Sequence, residues 1–265
     1  MKYIYNILKE TSLADFKKLQ MQKFIITFVF IFIGIGLTTV TIIIFFDYKY
    51  SKIYNPSETL EVWHSALFQS IFTIAFAFAG SYNVCREYEK GMIKNIVLTG
   101  IPLQHYLFSR LIVFFGVFAA IMVLTYSIDA AALFIYFGHS FNINVTGKGM
   151  LLTLLHLMQT LFLVVMFSSI FKKTIYAIAG LLLYYMAIEK VIVKIIISMA
   201  SYLNLSDWAN AILQHTPLQV LDNLSNAFEM NQYLINFSLF TVYLCIYATI
   251  IWFSSRNTQL GLINK

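Results

Sequence analysis

The residues that could do chemistry in this sequence fall into two sets. One is dense: Arg86, Glu87, Glu89, Lys90 and Lys94 lie within CREYEKGMIKNIVLTGIPLQHYLFSR, residues 85–110. The other is sparse: Asp129, His156, Glu189, Lys190 and Lys194 stand among long apolar runs. A carboxylate or imidazole in apolar surroundings can pass protons or gate a polar path. Opposite charges on one short helix can instead stabilise that helix and face a partner. Covalent chemistry has no pattern to support it. There is no H-E-x-x-H, no G-x-S-x-G, and no His/Cys/Glu set with metal-ligand spacing. Nor is there a G-x-x-x-x-G-K-[ST] phosphate loop, since Gly147-Lys148-Gly149 lacks the upstream glycine. The chain is expected not to be an enzyme and to hold no cofactor or metal of its own.

The elements that position these residues follow from hydropathy. Of 265 residues, 60% are hydrophobic and 11% charged, against about 25% charged in a soluble domain. Several apolar runs reach the roughly 20 residues that cross a bilayer core. The fold class is therefore an all-α integral membrane protein with six transmembrane helices, read as 24–46, 62–84, 106–137, 150–171, 174–194 and 234–253. The run from Phe24 to Phe46 exceeds a signal-peptide core and has no small-residue cleavage site after it, so it reads as a permanent span. No repeat or low-complexity linker divides the chain, which reads as one membrane domain over 1–265.

Basic residues set the orientation. Those in 2–23, 86–110, 172–173 and 256–265 share one side, leaving Lys49, Lys52 and Lys148 on the other. Both termini are then cytoplasmic. With this composition the net charge of +6 is a topology signal and not a nucleic-acid footprint. Residues 1–23 read as an amphipathic helix on the inner membrane surface, with Tyr3, Ile4, Ile7 and Leu8 on one face. The stretch 201–233 is too broken to span and reads as short outer helices. Cys85 and Cys245 are expected to be free thiols.

Residues 86–98 have helical periodicity. Tyr88, Met92, Ile93, Ile96 and Val97 share one face, and the charged residues take the rest. Arg86 with Glu89, and Glu87 with Lys90, are spaced as i,i+3 ion pairs. Gly100 suits a left-handed cap and Pro102 cannot continue a helix, so the segment stops there. Pattern alone leaves two readings open: a loop helix resting on lipid, or a helix whose apolar face plugs into a soluble partner.

The order Glu87-x-Glu89-x-Gly91, Leu98-Thr99, Pro102 and then Arg110 resembles the membrane subunits of type-2 ABC exporters. The layout does too: a basic N-terminal helix, six spans, a short inner turn Phe171-Lys172-Lys173-Thr174, and outer helices before the sixth span. Gly100-Ile101 before Pro102 departs from the family pattern, in which a small residue commonly precedes the proline directly. The resemblance implies that 86–98 is a cytoplasmic coupling helix that docks on a separate ABC ATPase subunit. Glu87, Glu89, Gly91, Met92, Ile93, Ile96, Val97 and Pro102 would be its docking residues. It further implies ATP and Mg in that partner, a pathway formed with a second copy or a homologous membrane subunit, and location in a cell membrane.

Counting rise per residue places the sparse charges toward the outer side. Asp129 stands about 28 Å past Arg110, and Glu189 about 24 Å past Lys173. His156, Lys190 and Lys194 are at comparable height. Interfacial anchoring and an outer gate on the transport pathway are the two readings. The cargo expected is an amphipathic peptide, such as a toxin or bacteriocin, or another hydrophobic compound. The alternatives are export of a polysaccharide or lipid-linked glycan, a proton-driven secondary transporter, a non-transporting immunity protein, or, least supported, a membrane enzyme.

Overall fold

The computed structural model describes residues 23–50, 56, 58–60, 73–138, 141–185, 195, 198–199, 216–226 and 230–263. Among them helix predominates and no strand occurs, in keeping with the all-α expectation. The expected N-terminal interfacial helix, the first part of the second span, and Glu189, Lys190 and Lys194 lie outside the described residues.

Among the described residues these helices follow one another: α1 (Lys23–Tyr50), α2 (Thr73–Glu89), α3 (Met92–Leu98), α4 (Leu103–Phe137), α5 (Ile143–Phe171), α6 (Thr174–Leu183), α7 (Pro217–Asn226) and α8 (Met230–Ile263). Three stretches among the described residues are long and apolar enough to cross a membrane by length and composition: Leu103–Phe137, Asn144–Phe171 and Asn231–Leu262. α6 is a shorter apolar helix. The second and fifth of the six expected spans are described only in part.

Several helices outrun their expected spans. α5 begins at Ile143 and not 150, and α8 runs over 230–263 and not 234–253. α4 starts at Leu103, so Arg110 does not open the helix; it sits two turns inside and is buried. Hydropathy marks what the bilayer requires, whereas the backbone ladder continues until a residue breaks it. Here the breaks are left-handed residues: Gly91 (φ 69°), Gly100 (φ 81°), Gly138 (φ 58°) and Lys172 (φ 57°).

The chain packs as two units. The first comprises Met1–Thr73 with Phe108–Met158, and the second Ile74–Leu107 with Gln159–Lys265. In the first unit Val40 and Ile43 of α1 pack with Leu60, Leu133 of α4 and Phe141. Tyr126 of α4 shares a hydrogen bond with Thr153 of α5 at 3.1 Å. In the second unit α2 meets α5 at Gly80, where an added Cβ would stand 2.7 Å from Val164 Cγ1. Within the helix bodies, hydroxyls turn back on their own helix. Thr38, Thr39 and Thr41 donate to the carbonyls of Gly34, Ile35 and Leu37, and Ser238, Thr241 and Thr249 do the same along α8.

Candidate functional site

The dense set of charges is organised in the second unit, around α3. The helix expected over 86–98 is divided in two. Arg86–Glu89 continue α2, and Gly91 in the left-handed region turns the chain before α3 starts at Met92. A residue with a Cβ is disfavoured at that φ, so the glycine permits a tight reversal that helical periodicity alone does not reveal. The far end of α3 stops as expected. Thr99 N–H donates to Asn95 O, and Gly100 N–H donates to Val97 O at 3.0 Å. Pro102 then serves the next helix, because its carbonyl accepts the N–H groups of His105 and Tyr106.

Two carboxylates lie at the end of α2, two residues apart. At ~100° per residue they point to nearly opposite sides of the helix. Glu87 is buried and accepts the hydroxyl of Tyr106 in the first turn of α4. Glu89 accepts the backbone N–H of Thr174, the first residue of α6, at 2.8 Å. The expected pairs Arg86–Glu89 and Glu87–Lys90 do not form. The Arg86 guanidinium lies 5.3 Å from the ring of Tyr82, and both carboxylates turn to other helices. Hydrogen bonds to charged groups are worth about 1.5–3 kcal/mol, more than the ~0.3–0.5 kcal/mol of an exposed helical ion pair.

Lys173 occupies the cap position of α6 with extended backbone and gives no side-chain cap. Lysine has no acceptor to offer, so Glu89 supplies one from 85 residues away. The start of α4 is treated similarly, with Leu103 N–H donating to Gln259 Oε1 of α8 at 3.3 Å. Ser254 of α8 donates to Ser169 O of α5 at 2.9 Å. Cys85 approaches Ser168 O at 4.0 Å. Cys85, one residue past the expected second span, is fully buried, and burial pushes its thiol up to about 11, with the Glu89 charge adding to the rise against the Ser168 hydrogen bond.

The apolar face of α3 packs inside the unit: Ile93 and Val97 are buried, and Met92 and Ile96 are half-buried. What α3 and the turn before it leave outside is Lys90, Gly91, Lys94, Asn95 and Leu98, the last 74% exposed. Leu98 thus follows two exposed lysines on the outer side of this segment.

The sparse set behaves differently. Asp129 is 1% exposed in the first unit, and an added Cβ on Gly36 would stand 2.5 Å from its Oδ2. Gly36 is near the middle of α1 (Lys23–Tyr50), so the Asp129 carboxylate packs against the central part of that helix. His156 is half-buried in α5. The structure brings Asp129 to Gly36 and leaves Glu189, Lys190 and Lys194 outside what is described.

Sequence reasoning missed the partners Tyr106, Thr174 and Gln259. A signal existed for one of them: a helix starting after Lys172-Lys173 has no Ser, Thr, Asp or Asn at its cap. Gln159, midway along α5, also escaped notice; it is 1% exposed, and neither amide atom has a hydrogen-bond partner among the described residues.

The family model described as "ABC-2 family transporter protein" matches residues 13–189, and the chain belongs to that family. The match takes in α1 through α6, including both carboxylates, α3 and the α5–α6 turn. No curated protein and no solved structure matches the chain.

Proposed function

We propose that this chain is the membrane subunit of an ATP-driven exporter, working with a separate ABC ATPase that docks on α3. Family membership supports the class. The observation that carries the docking reading is the orientation of α3. Its apolar face is occupied by its own unit, and Lys90, Lys94 and Leu98 face outward. The partner surface that fits has an apolar seat for Leu98 and acidic groups for the two lysines. ATP and Mg belong to that partner, and this chain is not itself an enzyme. It forms the pathway with a second copy or a homologous subunit, in the plasma membrane of a bacterium, with six spans and both termini cytoplasmic. The cargo class is an amphipathic peptide or other hydrophobic compound, for which the aromatic-rich, weakly charged spans give room.

Leu98→Asp combined with Lys94→Glu tests docking without touching the core. The expected result is normal insertion and loss of the ATPase on purification from native membranes. Co-purification at the wild-type level overturns the docking face. Ile93→Asp is unsuited to this purpose, because Ile93 is buried within the chain and the variant would misfold first. Orientation is tested by an impermeant thiol reagent on Lys94→Cys in a Cys245→Ser background. Cys85 is buried and so is shielded from the reagent on either side. Labelling of Lys94→Cys from outside intact cells overturns the topology.

A second reading, proton-driven transport, is favoured by the carboxylate of Asp129, buried against Gly36. Export that persists when the ATPase is inactivated, and stops with Asp129→Asn, would establish it over the first.

A further inference from the structure

The bond between Glu89 and Thr174 joins two segments that the chain itself keeps far apart. Glu89 is the last residue of α2, immediately before the Lys90-Gly91 pivot that carries α3. Thr174 is the first residue of α6, immediately after the Lys172-Lys173 pivot. Each pivot has one left-handed residue, Gly91 and Lys172, where a helix direction changes abruptly. The carboxylate therefore spans two joints, and its 2.8 Å contact is made to the backbone of α6. A backbone contact reports the position of the helix, not the rotamer of a side chain.

The charges suit the contact. A carboxylate at the C-terminal end of α2 faces the negative end of that helix's own dipole, and at the N-terminal end of α6 it meets a positive one. α6 has no acidic residue in its first turn and no side-chain cap of its own. On its other side α6 is held tightly to α5: an added Cβ on Gly180 would stand 2.8 Å from Phe167 Cδ1, and the rings of Phe167 and Phe171 stack with centroids 6.0 Å apart. The start of α6 is thus gripped by α5 along its length and by Glu89 at its tip.

We propose that Glu89 is a positioning residue for energy coupling: its carboxylate makes the start of α6 follow α3 when a bound ATPase displaces α3. This rests on the docking reading of α3 above. Glu89 itself need not touch the ATPase. Glu87 has a different task, tying the two arms of the same loop together through Tyr106.

The test uses the full chain with its co-purified ATPase. Spin labels are placed at Asn95→Cys on α3, outside the Lys90, Lys94 and Leu98 docking set, and Tyr176→Cys on α6, both exposed, with Cys245→Ser. Distances are measured by pulsed electron paramagnetic resonance, without nucleotide and with ATP plus vanadate. The wild-type distance is expected to be narrow and the same in both states. Glu89→Ala should keep the ATPase bound yet shift or broaden the distance when nucleotide is added. Glu89→Gln retains an acceptor oxygen and should restore the wild-type result. Glu89→Asp retains the charge but is one methylene short, and should resemble Glu89→Ala. A wild-type distance that changes with nucleotide overturns the proposal, as does a Glu89→Ala distance that matches wild type in both states. A wild-type chain that holds no ATPase overturns the docking reading and this one with it. A chain that holds the ATPase while α3 and α6 move independently overturns this one alone.

Discussion

Polar side chains behave in opposite ways at the α3 end of the second unit and along the bodies of the long helices. Along α1 and α8, hydroxyls bond to carbonyls four residues back on the same helix. At the α3 end, Glu87, Glu89, Ser254 and Gln259 bond to other helices, across 19, 85, 85 and 156 residues of sequence. The physical reason is the solvent. In hydrocarbon every polar group must be satisfied, and the nearest carbonyl of the same helix does so without fixing any neighbour. Where the chain turns between helices, free N–H groups at helix starts offer long-range partners, and bonds made there fix relative position. The bonds of these four side chains fix how the helices meet at the α3 end.

If that contrast is right, the largest effects belong to the α3 end. Glu87→Ala leaves the Tyr106 hydroxyl buried without its carboxylate and should lower stability by about 2–3 kcal/mol. Thermal unfolding in detergent measures this, and a Glu87/Tyr106→Phe double-mutant cycle should show a coupling well above zero. A cycle near zero would mean that the buried bond contributes no specificity.

Close helix contacts come next. Gly36→Ala drives a Cβ against the Asp129 carboxylate, and Gly80→Ala drives one against Val164, 2.7 Å away. Overpacking of this kind costs about 1–3 kcal/mol. Val164 can relieve its clash by rotating, whereas Asp129 is also held by its own polar surroundings, so Gly36→Ala should be the more severe of the two. Equal melting temperatures for both variants and wild type would show that the helices can separate freely at these points.

Glu89→Ala should lower stability by about 1 kcal/mol, the usual worth of a helix cap. Its amide signature is specific: hydrogen exchange at Thr174 should accelerate while α8 is unaffected. The smallest effects belong to the helix bodies. Thr241→Val removes a bond that α8 makes to itself and should change stability by less than about 0.5 kcal/mol. Gln159→Leu replaces a buried amide that has no hydrogen-bond partner among the described residues, and should be neutral or stabilising. A loss of more than about 2 kcal/mol from Thr241→Val would erase the distinction between the two regions.

Much of the layout was legible in the sequence. The apolar runs around Phe24–Phe46, Tyr106–Phe137, Met150–Phe171 and Leu234–Phe253 each fall inside an observed helix, because burial in hydrocarbon constrains composition residue by residue. The family was legible as well, through Glu87-x-Glu89-x-Gly91 and Pro102 together with the overall order of segments. Gly100 and Pro102 were recognisable as a stop, since their backbone preferences are properties of the residues themselves.

Other features depended on where the chain goes next. The division of 86–98 at Gly91 was invisible to periodicity, because Tyr88 and Ile93 keep an apolar phase across a backbone reversal. The i,i+3 charge pairs were plausible locally, yet Tyr106 and the start of α6 offered the carboxylates partners with better geometry. The apolar face of α3 looked like a docking surface until Ile93 and Val97 proved to be buried in their own unit. Asp129 was placed only by rise along its own helix, which could not say which residue of α1 packs against it, Gly36. Composition and residue-level backbone preference are carried by the sequence itself and determined the helices, their stops and the family. The choice among competing partners for a charge or an apolar face depends on distances across the fold, and only the tertiary structure decided it.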